Sequence, residues 1–315
     1  MNSKKVNRLF LSIILINLAW LILMYVLLLG FGTTLDMGIV AQLAFSQGTI
    51  LVPALICLLL SRRKEEQKVK FSDMLGFHKI KISSFFMIIL YTILLNPLSM
   101  ALNAISMLFT ENAVNALGDS IVTMPLPVML FMISMFGPFS EEFVFRGVIF
   151  NGYKRSSSIF WAVICSALLF GLMHLNFNQA VYAFALGIMF ALLVEATGSL
   201  WSSVIAHMLF NAPSVFSIYF QSEGSSDIVL TNDDLLMFIG PYLIAAVICT
   251  SLAVCVLIWL AKNENREEHF ASIWVRRKEK KEGLFSVPLI IAIVLCFMIM
   301  CLEFIIPLIF SIIFG

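Results

Sequence analysis

Residues 128–153 read VMLFMISMFGPFSEEFVFRGVIFNGY, and this stretch decides the fold class. It is longer than the roughly 20 residues that an α-helix needs to cross the ~30 Å hydrocarbon layer of a bilayer. Apart from Glu141, Glu142 and Arg146, nearly all of its side chains are apolar or small. An ionisable group at the centre of a membrane helix costs about 2.5–3.5 kcal/mol, so three in one span indicate a structural or functional need.

The rest of the chain has the same apolar character. Of its 315 residues, 61% are hydrophobic and only 12% are charged, against roughly 25% charged in soluble domains. The other candidate spans lie at about 9–31, 37–60, 83–109, 158–175, 179–195, 199–220, 236–261 and 286–314. We therefore predict an all-α, polytopic bundle of about eight or nine transmembrane helices, a multi-pass integral protein of the cell membrane.

The placement of positive charge fixes the orientation. With the N-terminus in the cytoplasm, every Lys and Arg except Arg146 falls in a segment on the cytoplasmic side, as the positive-inside rule requires. Two of these basic segments, 61–82 and 262–283, also carry apolar residues at helical spacing and are expected to rest on the inner membrane surface. The net charge of +1 argues against a nucleic-acid partner, because no basic excess is available for phosphates.

Ionisable residues inside the predicted spans are the functional signal. There are six of them: Glu141, Glu142, Arg146, His174, His207 and Glu303. Glu142 and Arg146 are four residues apart, so they share a helix face and can pair. That pairing explains neither the adjacent carboxylate nor the histidines on two other helices. For Glu303 we expect only a polar packing contact.

The depths of these groups allow one shared cavity. Glu141, His174, His207 and Asn211 lie about 12–25 Å from the inner ends of their spans at 1.5 Å per residue. A carboxylate beside an imidazole suits a general base that activates water. A second histidine and an amide can donate hydrogen bonds to an oxyanion. The base and these donors together predict hydrolysis of an amide bond without an acyl-enzyme intermediate. One Glu and two His are also a zinc ligand set, although HExxH spacing is absent, and both uses stay open.

Three motifs occur in order on successive apolar helices. They are EEFVFRG at 141–147, FGLMH at 170–174 and HMLFN at 207–211, which fit the patterns EExxxR, FxxxH and HxxxN. In this order, from about residue 138 to 213, they resemble the CAAX protease and bacteriocin-processing (CPBP, or Abi) family of intramembrane peptidases. Phe170 stands four residues before His174 and is expected to pack beside its ring.

The resemblance implies a helical membrane core with a cavity open to the cytoplasm. It implies that Glu141 and His174 activate water, that His207 and Asn211 stabilise the oxyanion, and that Glu142 and Arg146 support the site. Family members are described both as metalloproteases, here with Glu141, His174 and His207 on a divalent metal such as zinc, and as metal-free glutamic peptidases. The chain then divides into N-terminal helices 1–127, catalytic core helices 128–220 and C-terminal helices 221–315 of one continuous membrane domain.

The expected partners are the lipid bilayer and a membrane-associated peptide or protein substrate. Eukaryotic relatives trim prenylated CAAX proteins, and bacteriocin-type peptides are the alternative substrate class. Two other functions use the same residues: a proton-coupled transporter, and a non-proteolytic bacteriocin-immunity or scaffold protein. Against transport, the sequence shows no inverted repeat.

Overall fold

The computed structural model describes residues 1–33, 35, 37–63, 70–110, 112, 118–222, 232–279 and 283–314, with the backbone alone at 221, 222, 232–235, 238 and 306–314. Within these ranges the chain is helical, without a β-strand. The helices are α1 (Ser3–Phe31), α2 (Ile39–Arg62), α3 (Phe71–Leu75), α4 (Ile82–Met107), α5 (Gly118–Val122), α6 (Leu126–Met129), α7 (Gly137–Glu142), α8 (Asn151–Lys154), α9 (Ile159–Leu172), α10 (Phe177–Thr197), α11 (Leu200–Ser222), α12 (Asn232–Asn263), α13 (Glu267–Val275) and α14 (Val287–Phe314). Two π-helical segments, π1 (Leu130–Phe136) and π2 (Phe143–Phe150), join α6 to α7 and α7 to α8.

Eight helical segments of the described ranges are long and apolar enough to cross a membrane. They belong to α1, α2, α4, the continuous rod from α6 to α8, α10, α11, α12 and α14. The ninth predicted span is the shorter apolar helix α9, which ends at Leu172 rather than near residue 175. The prediction of a polytopic helical bundle is confirmed, and the chain is a multi-pass integral membrane protein.

The rod from Leu126 to Lys154 changes its winding on both sides of the α-helical turn that contains Pro138. In π1 the N–H of Gly137 donates to the carbonyl of Met132, five residues back. The next bond in that register would join residue 138 to the carbonyl of Ile133, and a proline has no N–H to donate. The side chain of Asn211 on α11 donates to this carbonyl instead, with Nδ2 3.2 Å from the oxygen. π-helical turns are frequent at functional sites, and here two of them flank the helix that carries Glu141 and Glu142.

The centre of the bundle is formed by this rod and α10. In their most apolar windows 56% and 67% of residues are buried, against 11–28% in the other six spans. Between α9 and α10 small residues let the backbones approach closely, which is how helices pack in lipid. A Cβ at Gly171 would stand 2.7 Å from the carbonyl oxygen of Ala180, and one at Gly187 would stand 3.0 Å from Ala167. This close packing fixes the height of α9, and therefore of the residues at its end.

At the inner surface, α13 is held to the bundle by Glu195. This carboxylate, near the end of α10, is buried and bonded through Oε1 to Lys154 Nζ and through Oε2 to His269 Nε2, each at 2.6 Å. Arg266 Nε donates to the backbone oxygen of Glu195 at 3.0 Å. The sequence predicts apolar residues at helical spacing within 262–283; α13 is a helix in this segment, and Phe270 on it is buried against the core. The role of Glu195 was missed, because it stands at the edge of a predicted span where an acid has access to water.

Candidate active site

Glu141 and Glu142 are adjacent on α7 but lie in different environments. Successive residues of a helix point about 100° apart. The side chain of Glu142 is completely buried, whereas that of Glu141 keeps 20% of its surface accessible. Only Glu141 can therefore meet a water molecule or a substrate without a rearrangement of the helices.

The buried carboxylate of Glu142 connects two elements of the site. Its Oε1 accepts a hydrogen bond from Arg146 Nη1 at 2.8 Å, as their spacing predicts. The same oxygen lies 3.0 Å from Nδ1 of His207 on α11. Because a carboxylate can only accept, Nδ1 of His207 carries the hydrogen and donates it. Glu142 thus fixes both the orientation and the tautomer of the His207 ring, as acidic partners of catalytic histidines do.

Arg146 is held on every side, although it carries a charge within the bundle. Its Nη2 donates to the carbonyl of Gly187 on α10 at 3.2 Å. Its guanidinium carbon lies 4.3 Å from the ring centroid of Phe170 and 5.6 Å from that of Phe190. Cation–π contacts of this kind are strongest where water is excluded. The arginine therefore ties together three helices around the Glu142 carboxylate.

The second nitrogen of His207 faces Glu141. His207 Nε2 lies 3.8 Å from Glu141 Oε2, which is beyond a direct hydrogen bond but close enough for both atoms to contact one small molecule. The His207 ring is buried and packs against Phe170 and Phe190, with centroids 5.9 and 5.2 Å away. The imidazole nearest to Glu141 is consequently that of His207, whereas the family resemblance assigns His174 as the water-activating partner.

His174 occupies a tight turn between α9 and α10. The turn is closed by Leu175, which has a positive φ of 55°, and by Asn176, whose side chain caps α10 and donates to the His174 carbonyl at 2.8 Å. His174 Nδ1 lies 3.0 Å from the carbonyl oxygen of Phe170, so Nδ1 donates and Nε2 is left as an acceptor. The Phe170 ring stands edge-on to the His174 ring at 5.2 Å, as the four-residue spacing predicts. Phe170 thus separates the two histidines of the site.

Asn211 lies one helical turn beyond His207 on α11, on the same face. One hydrogen of its amide is used in the bond to the Ile133 carbonyl. The amide nitrogen carries a second hydrogen, so a donor remains for another acceptor. Asn211 therefore has a structural role beside the oxyanion role that the sequence predicts.

Gln47 on α2 belongs to the site, and the motifs do not include it. Its Nε2 donates to Glu141 Oε1 at 3.4 Å, while its own Oε1 is buried without a hydrogen-bond partner among the described residues. A buried carbonyl oxygen without a hydrogen bond costs about 1–3 kcal/mol of stability. A donor from water or substrate that bonds to this oxygen would recover that free energy. One sequence signal marks Gln47: it is an amide side chain inside an apolar span, and a polar side chain there is costly to place in the membrane.

The three residues named as zinc ligands do not form a ligand set in this structure. Among the described residues, no three His, Cys, Asp or Glu side chains are grouped so that they could hold a metal ion. Glu141 and His207 face each other, but the His174 ring is directed by its bond to Phe170. Glu303, on α14, accepts from the N–H of Phe177 at the start of α10 at 3.4 Å, and among the described residues it forms no hydrogen bond or ion pair with Glu141, His174 or His207.

Fold and site together define a class: a multi-pass membrane protein with an acid–imidazole centre enclosed between its spans. Residues 123–213 match the model of the type II CAAX prenyl endopeptidase Rce1-like family. This segment contains every motif residue from Glu141 to Asn211, and the family it is similar to is of the same type as the one that the motifs resemble.

Two curated proteins are similar to the chain. The chain is 31% identical over 90 residues to the "Putative membrane peptidase YdiL" of Bacillus subtilis (strain 168), and the matched stretch covers 29% of this chain and 37% of that protein. It is 36% identical over 107 residues to the "Membrane-embedded CAAX protease MroQ" of Staphylococcus aureus (strain USA300), which covers 32% of this chain and 42% of that protein. The similarity thus spans about two fifths of each relative. No solved structure matches the chain significantly.

Proposed function

We propose that the protein is a membrane-embedded peptidase that hydrolyses a peptide bond in a membrane-associated peptide or protein. The observation that carries this proposal is the approach of Glu141 Oε2 to His207 Nε2 at 3.8 Å, with His207 Nδ1 fixed by Glu142. An accessible carboxylate opposite an oriented imidazole supplies a base on one side of the reacting carbonyl and a donor on the other.

The chemistry follows from these positions. The Glu141 carboxylate takes a proton from water while the water oxygen attacks the peptide carbonyl carbon. The oxyanion accepts hydrogen bonds from protonated His207 Nε2 and from the second amide hydrogen of Asn211. When the C–N bond breaks, the amine leaves with the proton held by Glu141. We assign His174, whose Nε2 is an acceptor, to the attacking water on the family resemblance, since Phe170 separates its ring from that of His207. Gln47 holds the other oxygen of Glu141.

The buried groups supply preorganisation for this reaction. Because Glu142 and Arg146 are both buried and bonded to each other, they hold the His207 ring in place before substrate arrives. Donors that are already oriented in a water-poor site need no reorganisation as charge develops, which is commonly the largest catalytic effect. With Nδ1 bonded to Glu142, the ring presents Nε2 toward Glu141 and the reacting carbonyl.

The substrate and the activity are tested together by comparing peptide termini in cells. Membrane and secreted peptides are quantified in cells that carry the wild-type protein, Glu141→Ala, His174→Ala, or Glu303→Gln as a matched control outside the site. We expect a set of termini that disappears in the first two variants and persists in the third. Termini that persist in all variants would remove the peptidase proposal, and the sequences at the lost termini distinguish prenylated CAAX substrates from bacteriocin-type peptides.

A second experiment concerns zinc. We propose that Glu141 acts without a metal, because the three candidate ligands do not converge. Activity of the purified protein should then survive exhaustive chelation, and elemental analysis should find less than stoichiometric zinc. Loss of activity on chelation, with recovery on zinc addition, would assign Glu141, His174 and His207 as ligands instead.

A further inference from the structure

A groove of about 760 Å³ lies between the N-terminal half of α1 and the stretch of α2 from Phe45 to Leu60. Its wall is made almost entirely of apolar side chains, among them Leu9, Val52 and Ile56. The groove exists because the facing positions are small: Gly48 has no side chain, and a Cβ there would find no atom within 4 Å. The residues of α2 that line the groove and Gln47, which contacts Glu141, lie on opposite faces of the helix. The groove is therefore not part of the candidate active site.

The groove is long enough to extend through one leaflet of the bilayer. Its lining runs from Lys5 to Ile16 on α1 and from Phe45 to Leu60 on α2. These stretches are about 16 and 22 Å long at 1.5 Å per residue, against about 15 Å for half of the hydrocarbon layer. At the end nearer the bilayer centre the two helices are bridged by an aromatic pair, Phe45 with Trp20, with ring centroids 4.3 Å apart. The groove is therefore open along the cytoplasmic leaflet and closed above it.

Two cations stand at the cytoplasmic end. Lys5 and Arg8 line the groove, both are exposed, and neither forms an ion pair with any of the described residues. Their neighbour Lys4 is equally exposed but does not line the groove. Basic side chains at this level of a membrane protein attract anionic headgroups, and an apolar slot below them fits an acyl chain. The two cations thus match an anionic lipid headgroup, and the apolar groove matches the acyl chain of the same lipid.

We propose that this groove binds one anionic phospholipid of the cytoplasmic leaflet, with its phosphate on Lys5 and Arg8 and an acyl chain between α1 and α2. The proposal is independent of the peptidase function, because it uses none of the site residues and its test needs no substrate. Each Lys or Arg near an anionic surface strengthens attraction about fivefold, so removal of both cations should weaken retention of the lipid about thirtyfold.

The test measures lipid retained by the full-length protein. The protein is reconstituted with equal amounts of phosphatidylglycerol and phosphatidylcholine, extracted in mild detergent, and examined by native mass spectrometry. We expect one phosphatidylglycerol per wild-type chain, about thirtyfold weaker retention in Lys5→Gln/Arg8→Gln, and wild-type retention in Lys4→Gln. Equal retention of both lipids, or an equal loss in Lys4→Gln, would overturn the proposal in favour of general surface attraction.

A pair of glycine variants tests the acyl-chain part without changing charge. Gly48→Leu projects a side chain into the groove, whereas Gly30→Leu adds the same side chain at another open helical position of α1. The first should abolish phosphatidylglycerol retention and the second should leave it intact, with melting temperatures recorded to show that both fold. Full retention in Gly48→Leu would show that the chain does not occupy the groove, and the proposal would fail.

Discussion

The most informative perturbation removes the buried ion pair from each side separately and then from both sides. Glu142→Leu leaves the buried guanidinium of Arg146 without its carboxylate, and Arg146→Met leaves the buried carboxylate without its strongest partner. Breaking a buried pair in this way costs about 3–5 kcal/mol, because an uncompensated charge remains. Replacing both partners by apolar side chains of similar volume is commonly close to neutral.

The structure refines the value expected for the double variant. Without Glu142 and Arg146, His207 Nδ1 loses its acceptor, whereas the Gly187 carbonyl, inside α10, keeps its helical N–H donor. An unsatisfied buried group costs about 1–3 kcal/mol. We therefore expect the double variant to lose about 1–3 kcal/mol of unfolding free energy, against about 6–10 kcal/mol if the two single losses were additive. Its catalytic rate should still be about 10²–10⁴-fold low, because the His207 ring is no longer oriented.

The assay is equilibrium unfolding in mixed detergent micelles, followed by hydrolysis of a substrate identified from the peptide termini. Coupling between the two sites is read from the double-mutant cycle. Single losses that add within about 0.5 kcal/mol would refute the assignment of Glu142 and Arg146 as one buried unit. A double variant with wild-type activity would refute the orienting role of Glu142 toward His207.

Three further outcomes follow from the contacts. Asn211→Leu should cost about 1–3 kcal/mol of unfolding free energy, because it leaves the π-helical carbonyl without a donor; an unchanged value would show that water replaces the amide. Gly171→Ala should cost on the order of 1–3 kcal/mol and lower activity, since its methyl meets a facing carbonyl, whereas Gly30→Ala, at an open position, should change stability by less than about 1 kcal/mol. Glu195→Gln should release α13 and speed its proteolysis, measured as the rate of cleavage within 262–279. The control Glu268→Gln changes an exposed carboxylate and should leave this rate unchanged. Equal cleavage rates in the two variants would show that Glu195 does not hold α13 to the bundle.

The architecture was predictable because its physical rules act along the sequence. The length of each apolar segment sets the number of crossings, and the lysines and arginines set their direction. The four-residue spacing of Glu142 and Arg146, and of Phe170 and His174, predicts contacts within one helix, and both contacts are present.

The rest of the site depends on how helices face one another, which spacing along a single helix does not encode. The pairing of His207 with Glu142, and its approach to Glu141, follow from the rotation of α11 against α7. Gln47 enters the site from a helix far away in sequence, with no motif to mark it. The π-helical carbonyl of Ile133 is bonded by a donor from α11, a contact that neither segment alone predicts.

The central claim is that the accessible carboxylate of Glu141 activates the attacking water. Its most direct test is the hydrolysis rate of purified Glu141→Gln in liposomes, beside Glu303→Gln, a change of another glutamate within a span. Since the Glu141 side chain is partly accessible and its contacts with Gln47 and His207 are long, at 3.4 and 3.8 Å, we expect the stability of the variant to change little and its rate to fall by about 10²–10⁴-fold, with the control unchanged. A Glu141→Gln protein that folds and cleaves at the wild-type rate would contradict the mechanism.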